Sequence, residues 1–273
     1  MSPVPEDSGI WRSAKGRVFL VGAGPGDPEL LTVRAYRLLA SARVVAYDEL
    51  VGPAILDLVP VGAELIAVGR RKGSCPDAPP IHPLVLERAL EGHDVVRLKG
   101  GDPMVFGRGG EEAEQLAALR IPFEVVPGIS AALGAAAATG IPLTHRDASQ
   151  SVSFVTAHLK EGANDTLAER VPSTGTVVLY MGLGTLRSTT ARLVAGGRSP
   201  ATPVAVVAHA TLPTQRIVVG DLATIADLVE EARLPAPALV VVGEVVGRRV
   251  APSARASEDH ARLQIAEAKS LTP

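Results

Sequence analysis

The amino-acid sequence predicts an α/β fold of two α/β domains with a ligand cleft between them. Short β-branched runs alternate with segments of helical periodicity in the first half, a pattern typical of a parallel sheet covered on both faces. Strand-like runs continue in the second half with fewer helices between them, which predicts a mixed sheet. Hydrophobic residues make up 47% of the 273 residues and aromatic residues only 3%, so we expect cores of Ala, Val and Leu.

The elements of the first half follow one another at regular intervals. Helical spacing is seen at residues 30–42 and 111–119. Apolar, β-branched runs predict strands at residues 18–22, 44–47, 65–68, 95–99 and 123–127. Each helix therefore connects strands that we expect to be parallel neighbours.

The second half opens with an Ala-rich helical segment at residues 128–140 and a polar loop at 142–151. Strands are then predicted at residues 153–157, 177–182, 203–210, 216–220 and 238–243. We expect a domain boundary near residues 128–151, where a cleft would be the default ligand site. The predicted organisation is a disordered N-terminal segment at 1–15, domains at 16–128 and 129–250, and a polar tail at 251–273 in which residues 258–271 form a surface helix.

Composition and charge exclude several classes of function. The formal net charge of −2 argues against a general nucleic-acid binder or a polybasic membrane binder. Cys75 is the single cysteine, so no internal disulfide is possible, and no Cys/His cluster has the spacing of a metal site. The N-terminus lacks the apolar region of a signal peptide, and apolar runs such as residues 237–242 are too short to span a bilayer. We therefore expect a cytoplasmic protein without a metal.

A glycine-rich segment, VGAGPGDPELLT at residues 21–32, follows the first predicted strand. Its glycines permit a sharp turn and a close approach of the backbone to a ligand. Asp27 can cap the next helix, and Pro28 suits the first helical turn. A dinucleotide fingerprint requires glycine where Asp27 stands, which disfavours a dehydrogenase. Alone, the segment is as consistent with an ordinary tight turn as with a ligand loop.

A second glycine-rich segment makes a ligand loop the better interpretation. GGDPMVFGRGGEE at residues 100–112 contains five glycines and repeats the Asp–Pro pair at Asp102. Glycine at this density costs chain entropy and usually serves a close backbone approach. The segment VPGISAALGAAAATGIPLTHRD at 126–147 follows. Its small residues allow close helix packing, and its Ser130 can cap a helix or contact a ligand.

These segments, in this order, resemble the tetrapyrrole methylase family. The match includes YDELV at 47–51, GIPLTHRDASQSVSFVTAHLK at 140–160 and PALVVVGEVV at 237–246, and it covers about residues 17–246. The stretch 140–160 is more particular to the members that act on uroporphyrinogen III. The resemblance implies a homodimer with S-adenosylmethionine bound between two α/β domains. By position, it assigns cofactor contacts to Pro25, Gly100, Gly101, Asp102, Val105, Ser130, Ala131, Met181 and Ala210.

The implied reaction methylates two pyrrole rings of uroporphyrinogen III and gives precorrin-2, which feeds sirohaem or cobalamin synthesis. Such a transfer requires alignment of a pyrrole carbon with the methyl group and removal of a proton from a neighbouring bridge carbon. The resemblance assigns the base to Asp48 and the proton-donor position to Arg70. The arginine fork suits the substrate's carboxylates. The candidate substrate-binding residues are Arg71, Lys99, Arg108 and Arg146.

Structural roles compete with these functional ones. Without the resemblance, an aspartate placed as Asp48 is more often a turn cap than a base. His145, His158 and His209 are expected to be structural, and Cys75 to be an incidental loop residue.

The sequence departs from the family pattern on the substrate side. Arg70 stands where the family usually has lysine, and arginine is a poor proton donor because it stays protonated. Residues 74–90 lack the usual histidine and helix start, and Glu49 replaces a common arginine. Two alternatives therefore stay open: methylation of a later corrin precursor, and a non-catalytic tetrapyrrole or cofactor binder.

Overall fold

The first of two five-stranded sheets is built by the N-terminal half of the chain. The computed structural model describes residues 15–69, 79–157 and 171–252. The strands of the first sheet are β1 (Val18–Gly22), β2 (Val44–Tyr47), β3 (Glu64–Ala67), β4 (Val95–Lys99) and β5 (Phe123–Val126). The helices of this half are α1 (Val33–Ala40), α2 (Pro53–Leu56), α3 (Pro83–Leu90) and α4 (Gly109–Ala118).

The strands of the first sheet lie in the order β3-β2-β4-β1-β5, and every pair is parallel. Successive residues of the inner strand β1 enter different cores: Val18 and Leu20 pack on one face, and Phe19 and Val21 on the other. Because helices cover both faces, this strand is a continuous apolar run in the sequence. The predicted parallel sheet is confirmed.

The second sheet has the order β6-β7-β10-β8-β9 and is mixed, as predicted. β6 and β7 are parallel, whereas the other neighbours are antiparallel. Its strands are β6 (Val152–Thr156), β7 (Thr176–Tyr180), β8 (Pro203–Ala208), β9 (Arg216–Asp221) and β10 (Ala238–Val242). Its helices are α5 (Ala131–Thr139), α6 (Leu186–Ala195) and α7 (Ile225–Glu231), and 3-10 helices occur at Pro28–Leu30, Leu183–Thr185 and Glu244–Arg248. Helices α6 and α7 cover one face, and α5 covers the other.

The helix predicted at residues 30–42 is divided in two. Asp27 Oδ1 accepts a hydrogen bond from Glu29 N at 2.9 Å, so Asp27 and Pro28 begin a 3-10 helix as expected. Leu31 then has an extended backbone with ψ 141°. Thr32 is the N-cap of α1, and its Oγ1 accepts a hydrogen bond from Ala35 N at 3.1 Å. Two extended residues, Leu31 and Thr32, thus separate the 3-10 helix from α1.

The Ala-rich helix α5 joins the two halves. A Cβ added to Gly134 would lie 2.6 Å from the Pro25 ring, so this helix packs directly on the first glycine-rich loop. Ala132 and Ala135 are buried against the second sheet on the other side. The expectation that small residues permit close packing here is confirmed. The predicted domain boundary stays a prediction, although the chain passes from the first sheet to the second between β5 and β6.

Several predicted features lie outside the described residues. They are the N-terminal segment before Lys15, the tail after Pro252 with its predicted surface helix, and Arg70, Arg71, Cys75 and His158. Among the helices of the three described ranges, none is long and apolar enough to cross a membrane.

Candidate active site

A cleft of about 820 Å³ lies between the two sheets. One wall consists of the loops at the carboxyl ends of β1, β2 and β4, which is the edge where open parallel sheets bind ligands. The other wall consists of the segments that follow β7 and β8 and precede β10. Small-molecule sites commonly occupy about 300–1,000 Å³. The cleft can therefore hold a cofactor-sized ligand and leave space beside it.

The structure brings most of the predicted site residues to this cleft. Asp48, Lys99 and Arg108 line it. Arg146 does not: it is exposed and borders a separate depression formed by residues 144–146, 149 and 150. All nine residues predicted to contact the cofactor line the cleft: Pro25, Gly100, Gly101, Asp102, Val105, Ser130, Ala131, Met181 and Ala210.

The glycine-rich loops contact one another through their backbones. Gly24 N donates to Gly101 O at 3.1 Å, and Gly101 N donates to Gly24 O at 2.8 Å. A Cβ added to Gly128 would overlap Gly101 O and lie 2.8 Å from Gly22 Cα. Gly101 itself has φ +68°, a left-handed conformation that favours glycine. Gly22 and Gly128 are thus required because the loops leave no room for a Cβ, and Gly101 because of its left-handed backbone.

The Asp102 side chain holds the second glycine-rich loop in place through two hydrogen bonds. Its Oδ1 accepts from Met104 N at 2.8 Å, and its Oδ2 accepts from Gly128 N at 2.9 Å. The carboxylate therefore satisfies two backbone donors of the cleft wall. Since each carboxylate oxygen can accept more than one hydrogen bond, Asp102 retains capacity toward a ligand.

Tyr180 connects the second sheet to the start of α5. Its Oη lies 2.6 Å from Ser130 Oγ and accepts from Ala132 N at 3.2 Å. Its ring centroid lies 4.7 Å from that of Phe106, whose loop belongs to the first half. Burial raises the pKa of the Tyr180 phenol, which keeps the hydroxyl protonated. These contacts place an aromatic pair in the cleft that sequence analysis did not assign to the site.

Unusual backbone conformations concentrate at the cleft. Seven non-glycine residues in the described part of the chain have positive φ. Four of them line the cleft: Phe106 (φ 53°), Arg108 (φ 59°), Met181 (φ 56°) and His209 (φ 50°). Such conformations cost energy and tend to persist at ligand sites, where the surrounding structure fixes them. Their distribution supports a binding role for the cleft.

A cluster of four charged side chains lies at the floor of the cleft. Arg97 Nη2 lies 2.6 Å from Asp48 Oδ1 and 3.1 Å from Glu112 Oε1. Lys99 Nζ lies 2.9 Å from Glu112 Oε2 and 3.8 Å from Asp48 Oδ2. Burial, followed by the nearby Arg97 charge, lowers the pKa of Lys99. Lys99, predicted to bind substrate carboxylates, therefore already has internal partners, whereas the Arg108 side chain is 48% exposed.

The sequence motifs do not indicate Arg97 and Glu112 as site residues, although the sequence carries one signal for them. Arg97 and Lys99 lie two residues apart in a strand predicted to be covered on both faces, so both side chains point to one side of the sheet. Buried cations require charged or hydrogen-bonding partners. The strand therefore predicted an internal acidic group, but not which of the many acidic residues would supply it.

The described histidines and the other possible metal ligands do not form a second catalytic site or a metal site. His209 contacts Thr214 Oγ1 and Ala236 O at 3.0 Å through its two ring nitrogens, in agreement with a structural role. Across residues 15–69, 79–157 and 171–252, no group of three or more His, Cys, Asp and Glu side chains is arranged to hold a metal ion.

Curated relatives share most of this chain. A siroheme synthase of Hahella chejuensis is 53% identical over 236 residues, which are 86% of this chain and 50% of that protein. A siroheme synthase of Azotobacter vinelandii is 53% identical over 245 residues, with shares of 89% and 53%. The chain spans about half the length of these relatives.

Solved structures of methyltransferases have the same fold. The native uroporphyrin III C-methyl transferase of Thermus thermophilus is 43% identical with a TM-score of 0.74, covering 85% of this chain and all of that one (100%). That enzyme in complex with S-adenyl homocysteine gives a TM-score of 0.73 at 43% identity, covering 85% of this chain and 93% of that one. A cobalt precorrin-4 methyltransferase gives 0.75 at 29% identity, with shares of 84% and 95%. A sequence model of the Tetrapyrrole (Corrin/Porphyrin) Methylases matches residues 17–226, and the chain belongs to this family.

Proposed function

We propose that this chain transfers methyl groups from S-adenosylmethionine to carbon atoms of uroporphyrinogen III. Two pyrrole rings are methylated and precorrin-2 is formed, which feeds siroheme or cobalamin synthesis. The observation that carries the proposal is the gathering of all nine predicted cofactor residues in one cleft beside Asp48. The names of the Thermus enzyme and of the siroheme synthases support the substrate and the use of the product.

The residues of the cleft fit S-adenosylmethionine. A Cβ added to Gly101 would meet only Ala131 N, at 3.6 Å, so this backbone is open to close approach by a ligand. Val105 and Met181 offer apolar and polarisable contacts to an adenine ring or a thioether. Asp102 has hydrogen-bonding capacity for a ribose or an amino group. The complex of the Thermus enzyme with S-adenyl homocysteine supports the same ligand class.

When bound, S-adenosylmethionine supplies an electrophilic methyl group on a positively charged sulfur. The protein's task is then to align a pyrrole carbon and to remove a proton from the neighbouring bridge carbon. Asp48 is suited to this task because its Oδ1 is held by Arg97 while its side chain reaches the cleft, with 28% exposed. We assign proton abstraction to the Asp48 carboxylate.

The substrate's carboxylates need cationic partners at the mouth of the cleft. Arg108 lies there, half exposed, with Glu111 Oε1 3.4 Å from its Nε. A substrate carboxylate can replace this exposed pairing at little cost, because surface ion pairs contribute little. Arg70 and Arg71 complete the proposed set by resemblance, and Arg146 serves only a part of the substrate that extends beyond the cleft. The proposal includes a cytoplasmic homodimer.

A later precorrin is the second candidate substrate. The observation that favours it is the 29% identity and TM-score of 0.75 to a cobalt precorrin-4 methyltransferase. Identity to the uroporphyrin enzyme is higher, at 43%, so uroporphyrinogen III is the first choice. A non-catalytic binder, the third alternative, would bind cofactor without turnover.

Anaerobic incubation of the protein and labelled S-adenosylmethionine with uroporphyrinogen III and, in a parallel reaction, with a later precorrin, followed by mass spectrometry of each tetrapyrrole, tests the proposal. We expect two labelled methyl groups per product molecule. Label on a later precorrin but none on uroporphyrinogen III would favour the second candidate. Cofactor binding without label on either tetrapyrrole would identify a binder and refute the enzymatic function.

A further inference from the structure

We infer that Glu112 is a positioning residue for methyl transfer, which acts through Arg97 to hold the Asp48 carboxylate in place. The inference rests on the proposed function, in which Asp48 takes a proton from the substrate. It concerns a residue at the floor of the cleft, with a side chain only 3% exposed, to which neither the sequence motifs nor the resemblance assigned a role.

The fold explains why these groups meet. β2 and β4 are parallel neighbours, and Asp48 follows β2 where its backbone N donates to Leu98 O at 3.1 Å. This bond fixes the Asp48 backbone beside Arg97. Helix α4 begins at Gly109, directly after the glycine-rich loop, and its first turn carries Glu112. Asp48 after β2 and Glu112 on α4 therefore both contact the guanidinium of Arg97 on β4.

The Arg97 guanidinium is held from three sides. Its Nη1 donates to Leu98 O at 3.1 Å, and its Nε and Nη2 reach Glu112 Oε1 at 3.2 and 3.1 Å. Its Nη2 also donates to Asp48 Oδ1 at 2.6 Å, and Asp48 is the most exposed member of the cluster at 28%. Without Glu112, the Leu98 carbonyl and Asp48 itself would be the remaining hydrogen-bond partners of the guanidinium among the described residues. Glu112 therefore fixes the orientation of the Arg97 guanidinium that contacts Asp48.

The second Glu112 oxygen serves Lys99. Oε2 accepts no aligned hydrogen bond from the described residues, and the Lys99 ammonium 2.9 Å away supplies its ion pair. The side chains of Arg97, Lys99 and Glu112 are only 7%, 2% and 3% exposed, against 28% for Asp48. Asp48 is therefore the member of the cluster that a substrate in the cleft can reach most readily.

Stability alone does not explain this cluster. Charged groups lose hydration on burial, and replacing buried ion pairs by apolar groups is often neutral or stabilising. With all four groups ionised the cluster has no net charge, so each cation is compensated. If Glu112 became neutral, two cations would face Asp48 alone and favour its ionised form, which makes a weaker base. Glu112 thus holds Asp48 in position through Arg97 and compensates the charge of the two cations.

Glu112→Gln tests the inference, with Glu114→Gln as the control because Glu114 is exposed on the same helix. We expect Glu112→Gln to lower kcat by about 10- to 100-fold, since small misplacements of a reacting group cost this much. The dissociation constant for S-adenosylmethionine should stay near the wild-type value. The acid limb of the kcat–pH profile should move to lower pH, because Arg97 from β4, Lys99 from β4 and the neutral Gln then surround Asp48.

Glu112→Asp provides a second variant that keeps the charge on a shorter side chain. We expect the acid limb to return to the wild-type pH while kcat stays reduced. If Glu112→Gln does not fold, Glu112→Asp carries the test, and a wild-type kcat in that protein would overturn the inference. A purely structural role would lower the amount of active enzyme without moving the pH limb.

A double variant tests the route through Arg97. Because both residues act on the same contact, Glu112→Gln combined with Arg97→Lys should lose no more kcat than the more damaged single variant. If the fold-loss of kcat in the double variant equals the product of the losses in the two single variants, the inference is overturned. If wild-type protein methylates uroporphyrinogen III but Glu112→Gln behaves as Glu114→Gln does, the inference alone fails. A wild-type protein without methylation overturns the proposed function and the inference together.

Discussion

Replacing Gly128 by alanine tests whether the cofactor wall depends on direct backbone contact between three loops. The added Cβ would overlap Gly101 O and lie 2.8 Å from Gly22 Cα. Both neighbours are backbone atoms, so no side chain can rotate away and the loops must separate. Separation also strains the hydrogen bond of 2.9 Å from Gly128 N to Asp102 Oδ2. Forced overpacking of this kind costs about 1–3 kcal/mol.

The expected effects are a lower Tm and weaker cofactor binding. At about 2–4 °C per kcal/mol, the cost corresponds to a decrease of about 2–12 °C in Tm, measured by calorimetry. Affinity for S-adenosylhomocysteine should fall in titration calorimetry, because Gly101 lines the cleft. Gly110→Ala is the matched control: an added Cβ there meets nothing within 4 Å, and alanine in a helix gains about 0.5–1 kcal/mol. Equal Tm and affinity in the two variants would refute the close packing of the loops.

Three further predictions concern charged residues of the cleft. Asp48→Asn should slow methylation and leave the dissociation constant for S-adenosylmethionine nearly unchanged; unaltered turnover would remove Asp48 from the mechanism. Asp102→Ala should weaken cofactor binding by about 1.5–3 kcal/mol in a calorimetric titration, because the charged hydrogen bond that we propose from Asp102 to the cofactor is lost. Unaltered affinity would mean that this loop does not form the cofactor site. Since burial lowers the pKa of Lys99, the unfolded chain binds that proton more tightly, so the free energy of unfolding should rise as the pH rises toward 10.5, the ordinary lysine value. Urea unfolding at several pH values should show this increase in wild-type protein and not in Lys99→Met; equal slopes would contradict it.

The fold was largely predictable because buried strands leave a direct signal. Strands β1, β2 and β4 have the predicted bounds, since their apolar runs are limited by polar or glycine residues. The predicted strands β7 and β8 each ended two residues too late. The apolar runs continue there, but Met181 and His209 adopt positive φ and turn the chain into the cleft. A hydrophobic pattern does not show where a residue adopts positive φ, so the ends of β7 and β8 could not be predicted from it.

The candidate site was predictable only where local motifs carry it. The glycine-rich loops mark a close backbone approach, and the resemblance assigned nine residues that all line the cleft. Tyr180 was missed because its partner Ser130 lies 50 residues away in the sequence. Glu112 was missed because one acidic residue at a helix start is ordinary, and only the fold shows that it faces Arg97 and Lys99. Pairings between distant elements leave no periodic trace in the sequence.

The stoichiometry of the reaction is the decisive test of whether this protein transfers two methyl groups to uroporphyrinogen III. Wild-type protein is mixed anaerobically with uroporphyrinogen III and excess S-adenosylmethionine, and S-adenosylhomocysteine formed is compared with uroporphyrinogen III consumed. We expect a final ratio of two, with both quantities changing together. Cofactor bound in the cleft with no S-adenosylhomocysteine formed and no tetrapyrrole consumed would contradict it.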